Sequence, residues 1–271
     1  MSTHPHKHRA RKRFGQNFLC DDGIIHRIVS AIHPQAADHI VEIGPGQGAL
    51  TGSLVASDAQ LDVIELDRDL VPFLLAAYGS SPRFKLHSAD ALKFDYAQLA
   101  SGARSLRIVG NLPYNISTPL IFKLLESAPL IKDMHFMLQL EVVNRMAASP
   151  GGKNWGRLGI MTQYHCEAES LFDVPPSAFS PPPKVQSAIV RLTPRAQSPW
   201  PTCDETMLRR VVQASFAQRR KTLRNNIKEL LDDAALEELG IDPGARSETL
   251  ELGQFVAMTN AVTALAESGK P

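Results

Sequence analysis

The chain has 271 residues, 44% of them hydrophobic, enough for a packed core in one large or two modest domains. No apolar run is long enough to span a membrane, and three scattered cysteines (Cys20, Cys166, Cys203) make neither a disulfide scaffold nor a metal cluster. The formal net charge is only +1, so any polyanionic partner must be met by local segregation of charge.

Residues 1–20 read as a basic tail: Lys7, Arg9, Arg11, Lys12 and Arg13 stand there without an acid. No apolar stretch follows, so no signal peptide is expected, and a cytoplasmic protein is. His4, His6 and His8 alternate in the tail, which reads as solvated chain sooner than as a metal site. Asp21 or Asp22 then caps a helix whose apolar positions are Ile24, Ile25, Ile28, Val29 and Ile32.

From Ile40 to about Val143 strand and helix patterns alternate, the signature of a parallel, doubly wound sheet. His39–Ile43 reads as the first strand of that set and runs into Gly44-Pro45-Gly46-Gln47-Gly48. Glycines there let the backbone turn tightly and approach a ligand. A second strand ends at Glu65, whose carboxylate can accept from ribose hydroxyls. The loop also satisfies the dinucleotide fingerprint, so NAD is a competitor on this motif alone. Against it, Glu42 precedes the glycines as Glu-x-Gly-x-Gly-x-Gly, a pattern that suits an amino-acid-bearing ligand. A third strand is followed by Asp90, placed to accept an adenine amine.

The apolar run Leu106–Gly110 leads into Asn111-Leu112-Pro113-Tyr114. Alone, the tetrad reads as a strand-end turn with Pro113 as punctuation. Beside the upstream strand ends it can do more. The Asn111 side-chain oxygen and a backbone carbonyl near Pro113 can accept the two hydrogens of an exocyclic amine, and Tyr114 offers a stacking face. Ligands of open α/β sheets bind at this carboxyl edge, where Glu65, Asp90 and Asn111 fall in order.

Pro150–Trp155 reads as a loop flanked by Arg145 and Arg157, and Val185–Leu192 as a late strand of an antiparallel pair. Thr193–Thr202 holds three prolines and reads as the domain boundary. Beyond it the pattern is helical. Residues 209–228 carry seven basic residues and no acid, and the next 23 carry eight acids against Arg246 alone. Such segregation favours a phosphate-binding surface over a merely solvated face.

These stretches resemble the ribosomal RNA adenine dimethyltransferases, most closely their bacterial small-subunit branch. The resemblance is carried by Phe14–Leu19, Val41–Thr51, Ile64–Asp67, Asn111–Ser117, Phe179–Val185 and Arg219–Asn225. It implies an α/β chain: a Rossmann-like S-adenosylmethionine-dependent methyltransferase sheet with a smaller all-helical C-terminal domain. The expected divisions are the tail at 1–20, the catalytic domain at 21–197 and an rRNA-binding domain at 198–271. The implied activity is dimethylation of N6 of two adjacent adenosines in the 3′-terminal hairpin loop of 16S rRNA. The substrate is the small ribosomal subunit or its precursor, and the chain is expected to act as a monomer.

By the same resemblance Asn17 and Leu19 touch the methyl donor, Gly44 and Gly46 underlie it, Glu65 meets its ribose and Asp90 its adenine. Asn111 and the Leu112 carbonyl take the N6 hydrogens, Pro113 stiffens the turn, and Tyr114 and Phe179 sandwich the base. Arg219, Arg220, Lys221 and Arg224 grip rRNA phosphates, and no metal is implied. Gln47 stands where relatives often carry Leu, with no consequence expected of a loop side chain pointing away from the ligand. Two alternatives remain: a large-subunit rRNA adenine methyltransferase of the resistance type, and a ribosome-assembly factor that acts mainly by binding.

Overall fold

The structure, a computed structural model, describes residues 17–201 and 203–267. The histidines and basic residues expected in the tail lie outside these.

The chain opens with the short strand β1 (Phe18–Leu19) and helix α1 (Asp22–Ile32). Asp21 is the cap: its side chain accepts from the Ile24 amide at 3.0 Å, and Ile24, Ile28 and Ile32 are buried on one face. Strand β2 (His39–Ile43), helix α2 (Thr51–Val55), β3 (Gln60–Glu65), α3 (Val71–Tyr78) and β4 (Phe84–Ser88) follow. Then come β5 (Leu106–Asn111), α4 (Ser117–Glu126), β6 (Ile131–Gln139), α5 (Leu140–Met146), α6 (Arg157–His165), β7 (Cys166–Val174), β8 (Phe179–Ser180) and β9 (Ser187–Pro194). The last elements are helices α7 (Glu205–Ser215), α8 (Leu223–Ile227), α9 (Asp233–Glu238) and α10 (Leu252–Glu267).

A seven-stranded sheet has the order β4-β3-β2-β5-β6-β9-β7. The first five strands in that order pair in parallel, and β9 runs antiparallel to β6. Parallel strands are covered on both faces, and β2 and β5 accordingly read as nearly continuous apolar runs with Ile40, Val41, Leu106 and Ile108 fully buried. Two polar devices brace the sheet. Buried Asp62 on β3 bridges His39 at 2.7 Å and His87 at 2.6 Å, and these histidine bonds outweigh its burial and hold its carboxyl down at about 2. Arg107 on β5 pairs with Asp38 at 2.6 Å and Asp133 at 3.0 Å and donates to the Ile32 carbonyl at 2.6 Å, capping α1.

The chain divides into two compact units. One holds the described residues up to Val143 together with Glu169–Pro194; the other holds Asn144–Ala168 and the described residues from Arg195 onward. One division falls close to the proline-rich stretch, and residues 144–168 group with the C-terminal helices. They pack with the C-terminal helices because Trp155, fully buried, donates its indole N–H to the Leu250 carbonyl at 2.9 Å, and the Gly151 amide bonds Glu248 at 2.7 Å. No helix among the described residues is long and apolar enough to cross a membrane.

Candidate active site

The carboxyl ends of β2, β3 and β5 open onto one cavity of about 360 Å³, within the 300–1,000 Å³ range of small-molecule sites. It gathers nearly every residue expected from the sequence: Asn17, Leu19, Gly44, Gly46, Glu65, Asp90, Asn111, Leu112, Pro113 and Tyr114 all line it.

The glycine loop supplies the floor. Gly44 has φ +63, and a Cβ built on it meets no atom within 4 Å, so its open side faces free space. Gly46 has φ +59, and its Cβ would come within 3.1 Å of the Phe18 ring. Glycine suits the left-handed turn there, and a Cβ would press on the Phe18 ring.

Glu65 closes β3 and is almost fully buried. Burial pushes its carboxyl up, against the pull of the Asp67 amide at 2.7 Å and of the Gly46 and Leu66 amides. Glu42 lies behind the glycines. Burial, with the nearby Glu65 charge adding to it, pushes its carboxyl up to about 7, although Thr51 donates its hydroxyl at 2.7 Å. Asp90 sits two residues past β4, where its Oδ1 accepts from the Leu92 amide at 3.0 Å.

Asn111 is the last residue of β5, and its side-chain Nδ2 donates to the Asn17 carbonyl at 3.1 Å. Leu112 is buried, with its amide bonded to the Met137 carbonyl at 3.2 Å. The Tyr114 hydroxyl is 2.6 Å from the hydroxyl of Ser187, the first residue of β9, which ties the ring to the antiparallel strand. Ser187 had no signal in the sequence, because its value comes only from the register that sets β9 beside β6.

Phe179 is not among the residues that line the cavity. It is 4% exposed and belongs to the apolar core cluster with Leu19, Ile24 and Ala178. Gln47 is exposed and stands among the residues lining the cavity.

The basic residues expected to meet RNA belong to the second unit. Arg219, Arg220, Lys221 and Arg224 are all exposed, as are Arg209, Arg210 and Lys228. Arg219 donates to the Lys153 carbonyl, and Arg224 pairs with Asp233 at 3.2 Å with both side chains about half exposed.

Comparisons with known proteins agree with this geometry. The family model described as Ribosomal RNA adenine dimethylase matches residues 7–264. A Pseudomonas aeruginosa protein named Ribosomal RNA small subunit methyltransferase A is 60% identical over 260 residues, covering 96% of this chain and 97% of the relative. The protein of the same name from Pseudomonas putida is 62% identical over 255 residues, covering 94% and 96%. Among solved structures, a dimethyladenosine transferase from Plasmodium falciparum matches with TM-score 0.79 and 26% identity, over 93% of this chain and 98% of that one. The 23S rRNA methyltransferase ErmE matches with TM-score 0.72 and 26% identity, over 91% and 100%. With a family match over nearly its whole length, and with the strand-end cavity that such a sheet builds, this chain belongs to the ribosomal RNA adenine dimethylases.

Proposed function

We propose that this protein dimethylates N6 of two adjacent adenosines in the 3′-terminal hairpin loop of 16S rRNA, in the small ribosomal subunit or its precursor, in the cytoplasm and as a monomer. The observation that carries the reading is the convergence of Glu65, Asp90 and Asn111, three polar strand ends, on one cavity floored by the glycine loop.

The donor set suits S-adenosylmethionine. Gly44 leaves open space above a left-handed turn, a buried carboxylate stands at the end of β3, and another carboxylate follows β4. Glu65 would take the ribose hydroxyls and Asp90 the adenine amine, with Asn17 and Leu19 closing the side and Gly44 and Gly46 beneath. When bound, S-adenosylmethionine supplies a methyl group activated by a sulfonium centre.

The protein's part at the target is positioning and electrostatics. An adenine N6 is a weak nucleophile while its lone pair is delocalised into the ring. Asn111 Oδ1 and the Leu112 carbonyl accept its two hydrogens and favour a pyramidal nitrogen whose lone pair is free. Pro113 stiffens the turn that follows them, and Tyr114 gives the extruded base a face to stack on. Leaving the RNA stack costs a few kcal/mol, which this stacking and the two hydrogen bonds offset. Exposed Arg219, Arg220, Lys221 and Arg224 would meet rRNA phosphates.

The deciding experiment incubates the protein with labelled S-adenosylmethionine and unmethylated small or large subunits, then maps the labelled nucleotides. Label on adjacent adenosines of the small-subunit rRNA is the expected result. Label on large-subunit rRNA alone would point to an activity like that for which the 23S rRNA methyltransferase ErmE is named. Absence of transfer, with rRNA still bound, would point to an assembly factor that acts by binding.

A further inference from the structure

The geometry points to β1 as a positioning element: the Asn17 carbonyl sets the orientation of the Asn111 amide, and the Phe179 loop holds β1 in place. This rests on the methyltransferase reading above and concerns how its catalytic amide is aimed.

A backbone carbonyl can only accept, so the Asn111 group facing Asn17 at 3.1 Å must be its NH₂. The side-chain oxygen then points the other way, and Asn111 stands on the cavity wall. Unheld, a primary amide can rotate by half a turn, and the rotated form presents N–H donors where N6 also presents donors. The Asn17 carbonyl disfavours that form.

Several contacts hold the strand that carries Asn17. The backbone of Leu19 pairs with Phe179 and that of Phe18 with Ser180, joining β1 to β8. The Cys20 amide donates to the Ala178 carbonyl at 2.9 Å, and the Leu19 and Phe179 side chains share the core. The Phe18 ring lies over the glycine loop, within 3.1 Å of where a Gly46 Cβ would stand. The Phe179 loop therefore also reaches the chemistry through the strand that it fixes.

The test compares wild type with Phe179→Ala, Phe179→Leu and Cys20→Pro, the last of which removes the amide bonded to Ala178. The first readout needs neither methyl donor nor RNA. The Asn111 side-chain amide protons, assigned by their loss in Asn111→Asp, should be protected from exchange in wild type and in Phe179→Leu. They should be unprotected in Phe179→Ala and in Cys20→Pro. The second readout is steady-state methylation of small subunits. In Cys20→Pro kcat should fall by about tenfold while KM for the subunit changes little, as for loss of one buried hydrogen bond. A wild-type amide that exchanges freely overturns the proposal. So does a folded Phe179→Leu variant whose Asn111 amide is unprotected. If Phe179→Ala does not fold, Cys20→Pro carries the test alone, and wild-type turnover there also overturns it. A wild-type protein that transfers no methyl group refutes the activity assigned above instead, and leaves the amide protection to be judged by itself.

Discussion

At Asn111 and Glu65 binding and chemistry can be separated. If Asn111 accepts from the target amine as proposed, that contact strengthens as charge shifts in the transition state, so Asn111→Ala should leave affinity for S-adenosylmethionine and RNA nearly intact. Its turnover should drop by on the order of 10²-fold, measured by single-turnover methylation. Glu65 ends β3 as a buried carboxylate, and Glu65→Ala should weaken S-adenosylmethionine binding by about 1–3 kcal/mol in calorimetry. NAD should not compete; micromolar NAD binding without S-adenosylmethionine binding would overturn the assignment. Glu42 makes a different prediction, in stability. Burial raises its folded carboxyl to about 7, above the value of an unfolded glutamate. A raised acid binds its proton more tightly in the folded state, so this contribution is present at low pH and is lost as pH rises through about 7. Glu42→Gln removes that titration. Its melting temperature, relative to wild type, should rise with pH across this window, and a constant difference would show that Glu42 does not titrate there.

At the level of elements, the parts of the site that were legible in the sequence are those built from local pattern. The glycine run after β2 and the polar residues closing β3 and β5 announce themselves by spacing, and the sheet brings them together because parallel strands share one carboxyl edge. What was not legible depends on long-range pairing. Nothing in Phe179-Ser180-Pro181-Pro182 reveals that its first residue pairs with Leu19, 160 positions earlier, and so packs in the core. Ser187 meets Tyr114 only because β9 folds back antiparallel to β6. Trp155 likewise sits in a loop-like stretch whose partner, Leu250, lies 95 residues on. Its indole bond makes the segment from Asn144 to Ala168 part of the helical unit. Trp155→Phe keeps most of the apolar volume but leaves the Leu250 carbonyl buried without that donor. It should destabilise by about 1–3 kcal/mol in urea titration. Binding of S-adenosylmethionine should be unchanged, because every residue lining the cavity belongs to the other unit.

For the whole molecule, a net charge of +1 conceals a division of labour that only the distribution of charge reveals. Polar strand ends line the cavity in the first unit, and seven exposed basic residues between Arg209 and Lys228 stand in the second. They can serve in two ways. One is to grip rRNA phosphates; the other is to pair with the acidic stretch after Glu229 and hold the unit together. Arg224 with Asp233 shows the second use, but a pair half exposed on both sides contributes little, in the usual range of about 0–1 kcal/mol. Arg219, Arg220 and Lys221 precede α8 and are open to solvent, which suits phosphate contact better. Changing all three to Ala should reduce subunit binding and flatten its salt dependence, each lost phosphate contact lowering the log–log slope by up to about 0.9. Melting temperature should move little, since surface charges away from caps and cores rarely matter by more than about 0.5 kcal/mol. The structural role makes the opposite forecast: a lower melting temperature with an unchanged salt slope. One triple variant, measured for both quantities, decides between the two uses, because counterion release responds only to phosphates contacted and thermal stability only to contacts within the fold.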